Sequence, residues 1–341
     1  IIGYVVSIPV FADSGFLLLH PLNKSLSKGA KLSLAGTAVA LGLGLLATHT
    51  LVPPTPGPIA AAGIIGADLG LVIGFGIPVS LVALFMAILF ARKYASKTYI
   101  DPQGESEEEP KTVEVTQRPG ALRSSIPILV PILLIILKSV LNPEGNETDS
   151  GLLALVAFIG EPVIALLIGV FLCLLLPRKI TLEMLSTSGW VGKAVKDAAS
   201  IVLITGAGGI FGQILQDSGI ASTLGATLSS WNIGILLPFV LAAALKTAQG
   251  SSTVALITTA SILMPMMNTL GFETDIQKAL VVLSIGAGSS VISHANDSFF
   301  WVVTQLSGMK VNEGYRLFSL GTFVLGSSAA LTVFLLYQFV G

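Results

Sequence analysis

Runs of about 20 predominantly apolar residues, the length that a bilayer span requires, recur along the chain. They lie at 32–52, 67–91, 124–141, 152–176, 198–215, 278–303 and 317–340. Two further apolar stretches are interrupted near their middles: 1–22 at Asp13-Ser14-Gly15, and 233–268 at Thr247-Ala248-Gln249-Gly250-Ser251-Ser252. Each half is too short to span, so both stretches read as re-entrant hairpins whose polar tips reach membrane depth inside a protein-lined cavity. The pattern predicts an all-α polytopic membrane protein.

Composition agrees. Of 341 residues, 53% are hydrophobic and only 11% charged, against about 25% charged in soluble domains. A charged shell cannot be built from so few ionisable residues, which argues against a soluble enzyme. A net charge of −1 gives no electrostatic reason to expect nucleic acid. The one cysteine, Cys173, lies in an apolar run, which excludes an intrachain disulfide and reads as a small packing residue. Residue 1 is Ile and no charged n-region precedes the first apolar run, so the start does not read as a signal peptide but as a point inside a longer protein.

Charge placement orients the spans. Lys24, Lys28 and Lys31 follow the first hairpin. Arg92, Lys93, Lys97, Lys111, Arg118 and Arg123 share the longest polar loop with an acidic run from Glu105 to Glu109. Arg178, Lys179, Lys193, Lys196, Lys310 and Arg316 fill two further loops, whereas 142–150 has neither Lys nor Arg. The positive-inside rule makes the basic loops cytoplasmic and 142–150 external; its Asn146-Glu147-Thr148 matches a glycosylation sequon but reads as ordinary loop chemistry. The resulting division is 1–66, first hairpin and broken helix; 67–91, a transmembrane helix; and 92–123, a cytoplasmic loop. Residues 124–176 form scaffold helices and 177–197 a cytoplasmic, interfacial segment. Residues 198–306 carry the second hairpin and broken helix, and 307–341 the C-terminal helix.

Each hairpin is followed by a long span interrupted beside a histidine. The first interruption is Thr48-His49-Thr50-Leu51-Val52-Pro53-Pro54-Thr55-Pro56-Gly57-Pro58, the second Ser293-His294-Ala295-Asn296-Asp297-Ser298. Four prolines within six residues cannot remain regular helix. The two units have opposite topology, and inverted repeats with discontinuous helices are the mark of secondary transporters, with substrate at the repeat interface. Broken helices expose backbone N–H groups that hold an anion without an ion pair, and hydroxyls at the breaks serve a polyol chain.

These two interruptions, together with Thr205-Gly206-Ala207-Gly208-Gly209 and Ala248-Gln249-Gly250-Ser251-Ser252-Thr253, resemble the gluconate permease (gluconate:proton symporter) family over nearly the whole chain. The family's further N-terminal helices are missing here. The resemblance implies a multi-pass carrier of the bacterial inner membrane, importing gluconate or a related sugar acid with protons. It also implies an elevator-type fold within the larger ion-transporter superfamily. A carrier of D-serine or another small hydroxy or amino acid, and a sodium-coupled carboxylate carrier, are the alternatives. No cofactor and no metal are implied; the partners are a small anionic substrate, protons and membrane lipid, and a homodimer is compatible.

The candidate substrate contacts are Thr48, Thr50, Thr55, Gly57, Lys246, Gln249, Gly250, Ser251, Ser252, Thr253, Asn296 and Ser298. The candidate proton-coupling residues are Asp13, His49, His294 and Asp297, because ionisable groups inside spans are costly and usually functional. Structural alternatives stand beside these roles. Asp13 and Asp297 can cap helices, the histidines can be core residues, and Lys246 can either neutralise a carboxylate substrate or snorkel to the surface. Asp297 would share a face with His294 if that stretch were helical. Glu161-Pro162 reads as a kink with an internal partner, and Asp68 and Asp217 as solvated span ends. His-Glu-x-x-His, Gly-x-Ser-x-Gly and Walker motifs are absent from the sequence, as is a filter-type loop, so zinc or serine hydrolysis, ATP-driven pumping and a channel lack their parts.

Overall fold

A computed structural model describes residues 1–8, 10–102, 120–141, 151–177, 180–218, 227 and 233–340, and every regular element among them is helical. The acidic run, the loop 142–150 with its sequon, and Arg178 and Lys179 lie outside the described residues. The chain divides into two compact units, residues 1–105 with 207–341, and residues 106–206.

In the first unit α1 (Ile2–Val6) and α2 (Ala12–Gly29) precede α3 (Leu34–Leu51), α4 (Pro56–Ile65) and α5 (Leu69–Lys93). Ser33 caps α3 by accepting from Ala35 N, and Asp68 caps α5 by accepting from Leu71 N at 2.7 Å. Helix α3 is apolar on every face and almost wholly buried, as a helix at the centre of a unit must be. In lipid the drive for that burial is close packing rather than escape from water, and small residues such as Ala35, Ala38 and Ala47 permit it.

After residue 207 come the end of α10 (Trp190–Asp217), then α11 (Leu236–Gln249), α12 (Ser252–Leu263), α13 (Asp275–Ser289) and α14 (Ser298–Leu306). Helix α15 (Val311–Gly314), a π-helical stretch Tyr315–Ser319 and α16 (Leu320–Val340) complete the unit. Thr274 and Gln277 form a capping box at the start of α13. Both arms α1 and α2 pack on α3, and both arms α11 and α12 pack on α13. Across these sets, α2 packs on α14 and α12 on α4.

The second unit holds α6 (Ala121–Leu141), α7 (Gly151–Ile159), α8 (Pro162–Leu174) and α9 (Leu182–Leu185). Predicted span 152–176 is bent by 69° between α7 and α8. Glu161 stands at the bend and accepts from Lys138 Nζ at 2.5 Å, the internal partner expected of it.

Among the described residues, Leu34–Ile65, Leu69–Lys97 and Val311–Val340 are long and apolar enough to cross a membrane, and the bent pair would make a fourth. Three breaks fall elsewhere than the sequence pattern placed them. The first hairpin turns between Ser7 and Phe11, not at Asp13–Gly15: Asp13 occupies the first turn of α2, where the helix dipole favours an acid, and the helix runs on to Gly29. The first broken span stays helical through Leu51, so His49 lies in α3 and not in its break. Helix α11 persists through Gln249, leaving only Gly250 and Ser251 outside helix.

Candidate functional site

Helix α11 ends because Gly250 adopts φ +93°, a conformation that L side chains rarely adopt. A Cβ there would come within 2.2 Å of Asn296 O, so glycine is required twice over: for the turn and for contact with the α13–α14 break. Ser251 then caps α12 by accepting from Val254 N at 3.3 Å. The Gln249 amide closes the turn, donating to Ser251 O at 2.6 Å and accepting from Ser251 N at 3.1 Å.

Residues 290–297 leave helix. Ile292 sits there at φ +48°, an outlier for a β-branched residue and a local store of strain. Thr322 Oγ1 accepts from Ser293 N at 3.0 Å, and Ser319 Oγ donates to Ser293 O. Asp297 caps α14, accepting from Phe299 N at 3.1 Å through Oδ1. Its Oδ2 accepts from Lys246 Nζ at 2.6 Å and from Ser293 Oγ, and the same ammonium donates to Gly250 O. The Lys246 and Asp297 side chains are 1% and 8% exposed.

This ion pair corrects two expectations. Lys246 does not snorkel outward; it is buried and bonded to Asp297 and the hairpin tip. His294 does not pair with Asp297, because residues 294–297 are not helical and the i,i+3 face does not form. His294 Nε2 and Asn296 Nδ2 both lie 2.9 Å from Thr247 O, and a carbonyl only accepts, so both donate and His294 carries its proton on Nε2. Burying two charges is costly unless each is hydrogen-bonded; the Gly250 carbonyl, the Ser293 hydroxyl and the Phe299 amide meet that condition.

Within this unit the helices around the first break meet those around the second. Ser298 Oγ donates to Asp13 Oδ1 at 3.0 Å, joining the N-termini of α14 and α2. Gly57 in the first turn of α4 abuts α12: a Cβ would lie 2.7 Å from Leu256 Cδ1 and 3.7 Å from Thr253 Cα. Asp13 is also within electrostatic reach of Asp297 and Lys246. His49 is buried, its ring 5.7 Å from that of Phe11, and its Nδ1 has no hydrogen-bond partner among the described residues.

The predicted contact residues therefore separate into layers. Gln249, Asn296 and Ser298 are exposed, and Asp13, Ser251, Thr253 and His294 half-buried. Thr48, Thr50, Thr55, Gly57, Gly250 and Ser252 are buried. Thr48 Oγ1 donates to Tyr4 O, Thr50 Oγ1 to Leu46 O and Thr55 Oγ1 to Val52 O, at 3.0, 3.0 and 2.9 Å. Those hydroxyls bond backbone carbonyls. Sequence reasoning missed Ser293, Ser319 and Thr322, which brace the break from behind. Ser293 adjoins His294 and was within reach, but Ser319 and Thr322 carry no sequence signal.

An uncharacterized permease of Haemophilus influenzae is 36% identical over 326 residues, 91% of this chain and 65% of that protein. The D-serine transporter DsdX of Escherichia coli (strain K12) is 33% identical, over 98% of this chain and 75% of its own. A gluconate permease of Pseudomonas aeruginosa is 34% identical, over 92% and 70%. The chain thus spans just under two thirds of the first of these relatives, and all three are named permeases or transporters, not enzymes. The sequence profile of the GntP family permeases matches residues 1–340, and the chain belongs to that family.

Proposed function

We propose that the protein is a secondary carrier that imports gluconate or a related sugar acid with protons across the bacterial inner membrane, and that its two broken-helix units form an inverted repeat. One observation carries this reading: the N-termini of four interrupted helices meet in pairs, α2 with α14 through Asp13 and Ser298, and α4 with α12 through Gly57 and Thr253. Pairing follows the same rule in both halves. Each two-helix hairpin packs on its own broken helix, and its second arm packs on the half-helix that follows the other hairpin. That exchange is what a pseudo-two-fold axis produces.

Helix N-termini attract carboxylates, and the exposed rim of Gln249, Asn296 and Ser298 offers amide and hydroxyl groups to sugar hydroxyls. The Lys246 charge is already balanced by Asp297, so the substrate anion is held by backbone N–H groups and side-chain dipoles. Several modest contacts suit a ligand that must leave again. Asp13, half-buried at the rim, repels an anionic substrate unless it carries a proton. Substrate and proton then favour each other's binding, which is the thermodynamic content of symport. His294 and the buried His49 are the further proton-handling candidates. The gluconate permease among the relatives supports this choice.

A second reading rests on the same residue and on the D-serine transporter among the relatives: an accessible Asp13 carboxylate can pair with an amino acid's ammonium. The two part on Asp13→Asn. In the sugar-acid carrier this variant keeps gluconate exchange but loses pH-driven accumulation, whereas in an amino-acid carrier it loses D-serine binding outright. Labelled gluconate and D-serine uptake into proteoliposomes of the full-length protein, with pH and sodium gradients imposed separately, decides. Accumulation of neither substrate under a pH gradient rejects both.

A further inference from the structure

Interrupted helices free backbone carbonyls, and in carriers such carbonyls are where a coupling alkali cation binds. Around the second hairpin these acceptors are already engaged. Thr247 O takes His294 and Asn296, Ser251 O takes Gln249, and Ser293 O takes Ser319. Gly250 O is held by the Lys246 ammonium, which also meets Asp297 Oδ2 at 2.6 Å, with the Ser293 hydroxyl on the same carboxylate oxygen. A carbonyl, a carboxylate and a hydroxyl, all buried, are the hard oxygen donors that a small cation takes. Here the cation is the end of a side chain.

We propose that the Lys246 ammonium is a tethered cation filling a monovalent-cation site between the α11–α12 tip and the α13–α14 break, and that emptying the site by truncation lets a free cation bind there. The permanent occupant makes sodium unnecessary to the native protein. For its transport consequence this rests on the proton-coupled reading above; for binding it does not. The charged and titratable groups facing the site are Asp297, Asp13 on α2, His49 on α3 and His294 in the break. Removing the ammonium leaves Asp297 as a buried carboxylate with a donor too few, and a bound cation restores the balance.

The test uses the purified full-length protein, with sodium chloride or methylammonium chloride titrated against choline chloride at constant ionic strength. For Lys246→Ala the melting temperature should rise saturably by roughly 2 °C or more with sodium or methylammonium. Neither the wild type nor Lys246→Ala/Asp297→Asn should respond beyond the choline control. In proteoliposomes Lys246→Ala uptake should fall about tenfold or more in choline and recover severalfold with the same cations. Should Lys246→Ala fail to accumulate in cells, Lys246→Gln keeps most of the stem and carries the same titration. A truncated variant that ignores both cations, or a double variant that responds as the single one does, overturns the proposal. Absence of gluconate uptake by the wild type would reject the sugar-acid reading while leaving the melting titration decisive.

Discussion

The two helix breaks occupy corresponding places yet are built in opposite ways. The α3–α4 break is closed by packing. Its threonines are buried, their hydroxyls are spent on nearby backbone carbonyls, and prolines rather than side-chain bonds hold the chain out of helix. The α13–α14 break contains no proline and is instead tied by an ion pair, three serine or threonine contacts, and a strained Ile292. A Pro-built break is fixed by covalent geometry, whereas one built from polar bonds can be remade when charge or ligand changes. The comparison assigns the rigid frame to the first break and the responsive chemistry to the second. Asp13 is the acid that the first hairpin contributes at the α14 end.

The asymmetry is most exposed at Asp297. Asp297→Ala removes the α14 cap and strands the Lys246 ammonium, so a stability loss of about 3–5 kcal/mol is expected, read as a large drop in melting temperature and in uptake. Adding Lys246→Ala to it should cost far less than a second such loss. Strictly additive losses would mean the pair is not coupled.

Gly250→Ala comes next. The added Cβ meets Asn296 O and the positive φ strains any side chain, so a loss of about 1–3 kcal/mol is expected, with maximal uptake falling more than apparent affinity. A variant as stable and active as the wild type would show that the tip does not contact the break.

The smallest effects separate the two breaks by function. Ser251→Ala removes the α12 cap, worth about 1 kcal/mol, and should weaken apparent gluconate affinity a few-fold. The Thr50 hydroxyl bonds Leu46 O in its own helix, so Thr50→Val should leave affinity within error. Reversal of that order would move the substrate from the second break to the first.

Much of this architecture was legible in the sequence because its breakers act locally. Pro53 to Pro58, Gly250-Ser251 and Ser293 to Ser298 each mark a real interruption. Boundaries shifted for physical reasons. Proline restricts chiefly the residue before it, so α3 runs to Leu51 and keeps His49 helical. Asp13 belongs to a helix start as naturally as to a turn, and the sequence pattern read it as a turn. Pairings were not legible: Lys246 with Asp297 and Asp13 with Ser298 are separated by 51 and 285 residues, and no local rule links them. Lys246 shows the limit most plainly. A lysine beside a hairpin tip suggests an anion receptor, and only packing reveals that its charge is spent within the protein.

The central claim is that substrate and proton bind together at the apposed helix ends, with Asp13 as the acid. Calorimetric titration of gluconate into the full-length protein, in buffers of different ionisation enthalpy, counts the protons taken up on binding. About one proton per gluconate is expected for the wild type between pH 6 and 8, and none for Asp13→Asn, by linkage. Gluconate binding to the wild type with no proton uptake anywhere in that range would contradict the claim.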